Sequence, residues 1–234
     1  MTLDILAIGA HPDDVEIGAG GTIAKTVSSG GKAGIISLTE AELSSNGTVE
    51  NRLFEAKKAA EILQVDPVIT LNYPDRNLYE HRKNIIEELS KLIRLHRPTI
   101  ILAPWHVDRH PDHGQCAHLT KEAVFNAGIV KYLPDIEPWK PKRLYFYAIN
   151  SSDRPHFAVD ISGHLKIKYK ALQAFQSQFI KGGKGSKDTP LNNGFLERLY
   201  AKDIQLGVQT GTYAAEGFFS DEPVLLSTIT EDGL

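Results

Sequence analysis

The chain has 234 residues, with 26 Lys plus Arg against 29 Asp plus Glu, and is 41% hydrophobic and 24% charged. These values exclude a disordered, fibrous or membrane-embedded chain, and a net charge of -3 offers none of the clustered basic charge that nucleic acid or an anionic membrane surface requires. A lone cysteine, Cys116, excludes an intrachain disulfide; the start MTLDILAIGAHPDD lacks a secretory n-region, and no apolar run approaches the roughly 18 residues of a membrane span, so a cytoplasmic location is expected.

Residues 3–10 form the first expected strand, an apolar run ending in Ala10-His11-Pro12-Asp13-Asp14. Gly18-Ala19-Gly20-Gly21 follows, but it is not G-x-G-x-x-G and acidic residues precede it, so a dinucleotide site is excluded. Residues 33–38 are a second strand. Thr48 is a good N-cap for a helix whose apolar face is Leu53, Ala56, Ala60 and Leu63. Residues 68–73 are a third strand, followed by a helix carrying Ile85, Leu89 and Leu92 that closes at His96-Arg97-Pro98. A fourth strand, 99–104, leads into a stretch where His106, His110, His113 and His118 crowd together, and a helix over 112–127 comes next.

A Pro-rich connection leads to strands at 143–149 and 157–161, then to a helix face of Leu165, Tyr169, Leu172, Phe175 and Phe179. Residues 181–187 (KGGKGSK) read as a mobile, solvated loop. The β-α-β-α alternation predicts a single α/β domain over 1–234. The fold class is a Rossmann-like three-layer sandwich with a mostly parallel sheet, strand order 3-2-1-4-5, and a modified C-terminal third.

In such a sheet the carboxyl ends of strands one and four are neighbours at the switch point. His11-Pro12-Asp13-Asp14 therefore converges with the segment from His106 to His113. His11, Asp14 and His113 supply the nitrogen and oxygen donors that suit catalytic zinc, with Fe2+ or Co2+ compatible with the same set. Asp13, beside the metal, is the candidate general base for an attacking water. His110 is the candidate acid for the leaving amine, with Asp112 to orient it and raise its pKa. Cys116 is assigned to the core, and His106 and His118 to the surroundings. No G-x-S-x-G elbow and no H-E-x-x-H motif is present, so hydrolysis by metal-activated water is the expected chemistry.

His11-Pro12-Asp13-Asp14 together with Arg109-His110-Pro111-Asp112-His113 resembles the LmbE-like (PIG-L) zinc deacetylases. Leu38-Thr39, Gly47-Thr48-x-x-x-Arg52 and Tyr213-Ala214-Ala215-Glu216-Gly217-Phe218 extend the likeness over most of the chain. The resemblance implies removal of acetyl from an N-acetylglucosaminyl conjugate, and within the family it points to the bacillithiol pathway, with N-acetyl-α-D-glucosaminyl L-malate as the substrate. It implies the same metal, base and acid residues, places Arg52 at the substrate, and suggests a homo-oligomer such as a hexamer. Asp75, beyond the third strand, is a candidate for sugar hydroxyls, and Arg109 for the malate carboxylates. The alternatives are another N-acetylglucosamine conjugate or a chitooligosaccharide as substrate, and a non-catalytic sugar-binding module anchored by its metal.

Overall fold

The computed structural model describes residues 2–182 and 186–225. Seven strands form one sheet: β1 (Ile5–Gly9), β2 (Ala33–Ser37), β3 (Val68–Thr70), β4 (Ile100–Pro104), β5 (Arg143–Tyr147), β6 (Phe157–Asp160) and β7 (Ala215–Phe219). Their order is β3-β2-β1-β4-β5-β7-β6. The first five run parallel, whereas β7 is antiparallel to both β5 and β6. The expected 3-2-1-4-5 order is thus present, and the modified last third consists of two strands of opposite sense.

Side chains alternate across a strand, and β1 shows the result. Ile5 and Ala7 join a core on one face of the sheet with Val15, Ile17 and Ile23 of α1 (Asp14–Ser28) and Ala56, Ala59 and Leu63 of α2 (Val49–Leu63). Leu6 and Ile8 join the other core, with Ile85, Leu89 and Ile93 of α3 (Arg82–His96) and Cys116, Leu119 and Ala123 of α4 (Pro111–Ala127). Because both faces are covered, central strands read as unbroken apolar runs rather than as alternating ones. Each such Leu or Ile contributes about 1.5–3 kcal/mol on leaving water. Cys116 is fully buried, as expected.

Helix α1 lies close on the sheet at Gly18, where a Cβ would stand 2.1 Å from the Tyr147 ring. The Tyr147 hydroxyl reaches on to donate to the Ile8 carbonyl at 2.7 Å. The expected helix through Phe179 is instead two pieces, α5 (Leu165–Ala174) and α6 (Gln176–Phe179), broken at Phe175, whose φ of -81° and ψ of 60° leave the helical region. Helix α7 (Phe195–Thr210) and β7 are additions to the sequence-based expectation. Of the loop expected at 181–187, residues 183–185 lie outside the described residues. On its flank, Asn46 takes the Lys187 N–H and donates to the Lys187 carbonyl, which ties the loop after β2 to the one before α7. Among the described residues, no helix is long and apolar enough to cross a membrane.

Candidate active site

The turn after β1 is wound around one carboxylate. Asp14 Oδ2 accepts the N–H groups of Ala10 and His11, both at 2.9 Å, which folds the chain back before α1 begins. The turn places Asp13 at φ 106°, a left-handed conformation that a β-carbon disfavours by about 1–3 kcal/mol. Such strain persists where neighbours over-determine it. Here Arg52 does so: its Nη1 donates to Asp13 Oδ2 at 3.1 Å and its Nη2 to the Pro12 carbonyl. Thr48 caps the start of α2 by accepting the Asn51 N–H, and the helix carries Arg52 inward from one turn below.

The turn after β4 delivers the second half. Asp108 accepts the His110 N–H at 2.8 Å, and His110 serves as the N-cap of α4, its Nδ1 accepting from the Asp112 N–H at 3.3 Å. With Nδ1 an acceptor, the imidazole proton of neutral His110 sits on Nε2. His113, in the first turn of α4, is gripped from both ends: Nε2 is 3.1 Å from Asp14 Oδ1 and Nδ1 is 3.0 Å from Asp108 Oδ1.

The two turns meet as the topology requires. His11 Nδ1 lies 3.5 Å from Asp14 Oδ2, and its Nε2 lies 3.2 Å from Asp75 and 3.6 Å from Asp112. The ring centroids of His11 and His110 are 4.8 Å apart, as are those of His110 and His113. Ligand atoms of His11, His110 and His113 all fall within 4.8 Å of one another, and so do those of His11, Asp75 and Asp112.

Charge balance tests this cluster as a metal site. Four carboxylates, Asp14, Asp75, Asp108 and Asp112, face two buried imidazoles and one arginine, Arg76. Burial disfavours a charged His11, yet contacts with Asp112, Asp14 and Asp75 hold its pKa well above the usual range. His113 behaves alike: burial opposes its charge, and Asp14 and Asp108 still push its pKa up to about 9. Asp14 is held well below the usual carboxylate range, because His113 and His11 outweigh its burial. The cluster therefore demands positive charge, and its nitrogen and oxygen donors fit a divalent transition metal. Asp13 goes the other way: burial raises its pKa, Arg52 opposes the rise and Asp14 adds to it.

Several expected roles change. Asp112 does not orient His110 through its carboxylate, which is committed to the Arg76 N–H and guanidinium, each at 2.8 Å, and leans toward His11. Its backbone N–H is what holds the ring. Nor is the His110 pKa raised: burial lowers it first, then the neighbouring His11 and His113 do, with Asp112 in opposition. Arg52, expected at the substrate, is 2% exposed and spent on Asp13 and Pro12. Asp75 faces His11, and Arg109 is exposed at the rim of a neighbouring cavity. His106 and His118 are exposed and outside the cluster.

Two residues went unread in the sequence. Asp108 stands two positions before His110 and five before His113, and that spacing across a helix start is the available signal. Glu216, present in the C-terminal motif without a role, accepts the N–H groups of Gly21 and Thr22 at 2.8 and 2.7 Å, and so attaches β7 to the middle of α1.

Residues 6–124 match the family described as PIG-L, GlcNAc-PI de-N-acetylase. The chain belongs to this family. Its relatives include a diacetylchitobiose deacetylase from Thermococcus kodakarensis, 33% identical over 190 residues, which span 75% of this chain and 70% of that protein. The structure of the conserved protein TT1542 from Thermus thermophilus is similar at 36% identity and a TM-score of 0.85, covering 98% of this chain and 99% of that one. Membership of PIG-L places the chain among the N-acetylglucosaminyl deacetylases, and the α/β fold is the one its structural neighbours share. A further structure, GalB, the 4-carboxy-2-hydroxymuconate hydratase from Pseudomonas putida, has a TM-score of 0.80 at 23% identity, covering 98% of this chain and 100% of that one. That likeness concerns the fold alone, and it shows that the architecture by itself does not specify deacetylation.

Proposed function

We propose that this PIG-L member hydrolyses the acetamide of an N-acetylglucosaminyl conjugate, with N-acetyl-α-D-glucosaminyl L-malate as the substrate and zinc as the metal. The supporting observation is the placement of Asp13 beside the His11, Asp14 and His113 cluster, held there by the turn around Asp14 and by the Arg52 clamp. His11, Asp14 and His113 are the proposed ligands. When bound, the metal supplies Lewis acidity toward water and the acetamide carbonyl.

The chain's own groups do the rest. Asp13 accepts a proton as the water oxygen forms its bond to the carbonyl carbon. Arg52 keeps that carboxylate aimed and limits its loss of charge in a buried setting. His110 presents its Nε2–H as a hydrogen-bond donor to the charge developing on the carbonyl oxygen, and the proton that Asp13 took from the water passes to the amine nitrogen as the C–N bond breaks. Acetate and a free glucosamine amine result. Asp108 holds His113 in one orientation, as carboxylates behind metal-binding histidines do. Asp112 and Asp75 complete the polar wall around His11, with Asp75 open to a sugar hydroxyl once a metal engages the imidazole.

A second reading, with a chitooligosaccharide as the substrate, draws on the Thermococcus relative. A binding module without catalysis has no use for Asp13 in its clamp. The test is acetate release from N-acetylglucosaminyl-malate and from diacetylchitobiose before and after chelation, then after return of Zn2+, Fe2+ or Co2+. Release that chelation abolishes and metal restores is expected, and release from neither substrate would overturn the proposal. A homo-oligomer, proposed on the family likeness, is checked by sizing in solution.

A further inference from the structure

Beside the cluster opens a cavity of about 1080 Å³, bounded by α1, β7, α7 and the segment from Ala148 to Pro155. It shares a wall with the reacting groups. Asn150 on its lining donates through its backbone and side-chain nitrogens to Asp108 at 2.9 and 3.0 Å, and Asp108 is the partner of His113. Ile17 and Gly18, one turn along α1 from Asp14, line it as well.

Its lining charges are five cationic against three acidic. The acids are already engaged. Asp203 and Glu216 hold the buried Lys168 at 2.7 and 2.9 Å, and Asp153 accepts from Trp105 Nε1 at 3.0 Å. The other cations, Arg109, Arg154, Arg198 and Lys202, make no salt bridge to any described residue. Arg198 donates only to the Pro190 and Asn193 carbonyls, and Lys202 only to the Ser151 carbonyl. Four cations from three separate stretches of chain thus converge on one concave space without a carboxylate of their own. In a pocket with low-dielectric walls that pattern raises the local concentration of anions and orients them.

We propose that this cavity receives the aglycone of the deacetylated sugar and that Arg109, Arg154, Arg198 and Lys202 select an aglycone bearing a carboxylate or phosphate. The inference rests on the deacetylase reading above and assigns residues that would discriminate its acidic aglycone from a chitooligosaccharide: a neutral second sugar leaves the four cations unanswered, whereas an acid answers them. Guanidinium groups suit either anion because their paired N–H donors match two oxygens at once. The Lys202 ammonium points the same way, since burial and then the charge of Lys168 push its pKa down against the opposition of Asp203 and Asp108. The cavity stands at the upper end of the roughly 300–1,000 Å³ range of small-ligand pockets, ample for an aglycone of a few carbon atoms.

The test compares kcat/KM of the metal-loaded enzyme on three N-acetylglucosaminides, the malate conjugate, the 1-phosphate and the methyl glycoside. The wild type should prefer an acidic aglycone by about tenfold or more, the effect of one well-made charged contact of about 1.4 kcal/mol or above. R154Q and K202Q should each erase part of that preference through KM and leave the methyl glycoside unchanged. R198Q is a further variant, its amide retaining one donor for the loop carbonyls. Equal use of all three glycosides, or variants that lower all three alike, overturns the proposal. A stronger gain from the 1-phosphate than from malate supports it with phosphate as the anion. If no glycoside is hydrolysed, the deacetylase reading fails separately. Calorimetric binding of the same three compounds then decides the cavity: tighter binding of the acids, lost in the variants, upholds it, and equal binding overturns it.

Discussion

Two buried ionic clusters flank α1, and they are composed in opposite ways. At its middle, Lys168 meets Asp203 and Glu216, Tyr169 donates to Asp203, and Glu216 also takes two backbone N–H groups of the helix. Burial opposes the charge on Lys168, but the two carboxylates keep its pKa above the ordinary lysine value. Two carboxylates share one ammonium there, and hydrogen bonds from Tyr169 and the α1 backbone supply the rest of the balance. At the start of α1, Asp14, Asp75, Asp108 and Asp112 outnumber their local cations, and the imidazoles among them are drawn toward protonation. The balanced cluster is closed and joins β7, α1, α5 and α7. The unbalanced one offers donors that suit a divalent transition metal, and that is what separates a site from a joint.

The comparison can be broken at each end. The largest expected effect is in the unbalanced cluster: D13N should lower turnover by about 10²–10⁴-fold, the usual worth of a positioned base. Metal content by elemental analysis should stay at the wild-type level, and a parallel loss of metal would move Asp13 into the ligand set. Next comes the balanced cluster. K168M leaves two carboxylates facing each other in the interior, and urea titration should show a loss of about 3–5 kcal/mol. A loss below about 1 kcal/mol would mean that water reaches those carboxylates, contrary to the 1% exposure of Lys168. The smallest effect belongs to D108N, which should weaken metal affinity by about 10–100-fold in a chelator competition while the fold stays intact.

How far these clusters could be read in advance differs as sharply as their chemistry. The parallel strands were legible because both faces are covered, so Leu6, Ile8, Ile36 and Ile101 could sit only inside. From the strand ends followed the meeting of His11, Asp14 and His113. The joint was not legible. A strand of Ala-Glu-Gly-Phe-Phe with a glutamate in the interior contradicts the apolar pattern, and only Lys168, 48 positions earlier in the chain, makes Glu216 tolerable there. The substrate role expected of Arg52 rests on the family likeness alone, because nothing in the periodicity of α2 distinguishes an arginine that grips a turn, as Arg52 grips Asp13 and Pro12, from one that meets a substrate. The exchange of Asp112 from His110 to Arg76 likewise depends on Arg76 at φ 65° in the loop after β3, a conformation that its own sequence neighbours do not announce.

The cavity wall has a consequence for inheritance. Every proposed reacting group lies between positions 11 and 113, on the turns after β1 and β4 and on α2, while three of the four cations proposed to choose the aglycone lie after position 150. Arg109, the fourth, lies in the earlier stretch beside His110. Descent can therefore rewrite the later stretch, trading Arg154, Arg198 and Lys202 for other side chains, without disturbing the atoms that cleave the amide. Within such a lineage, what is deacetylated would drift faster than how.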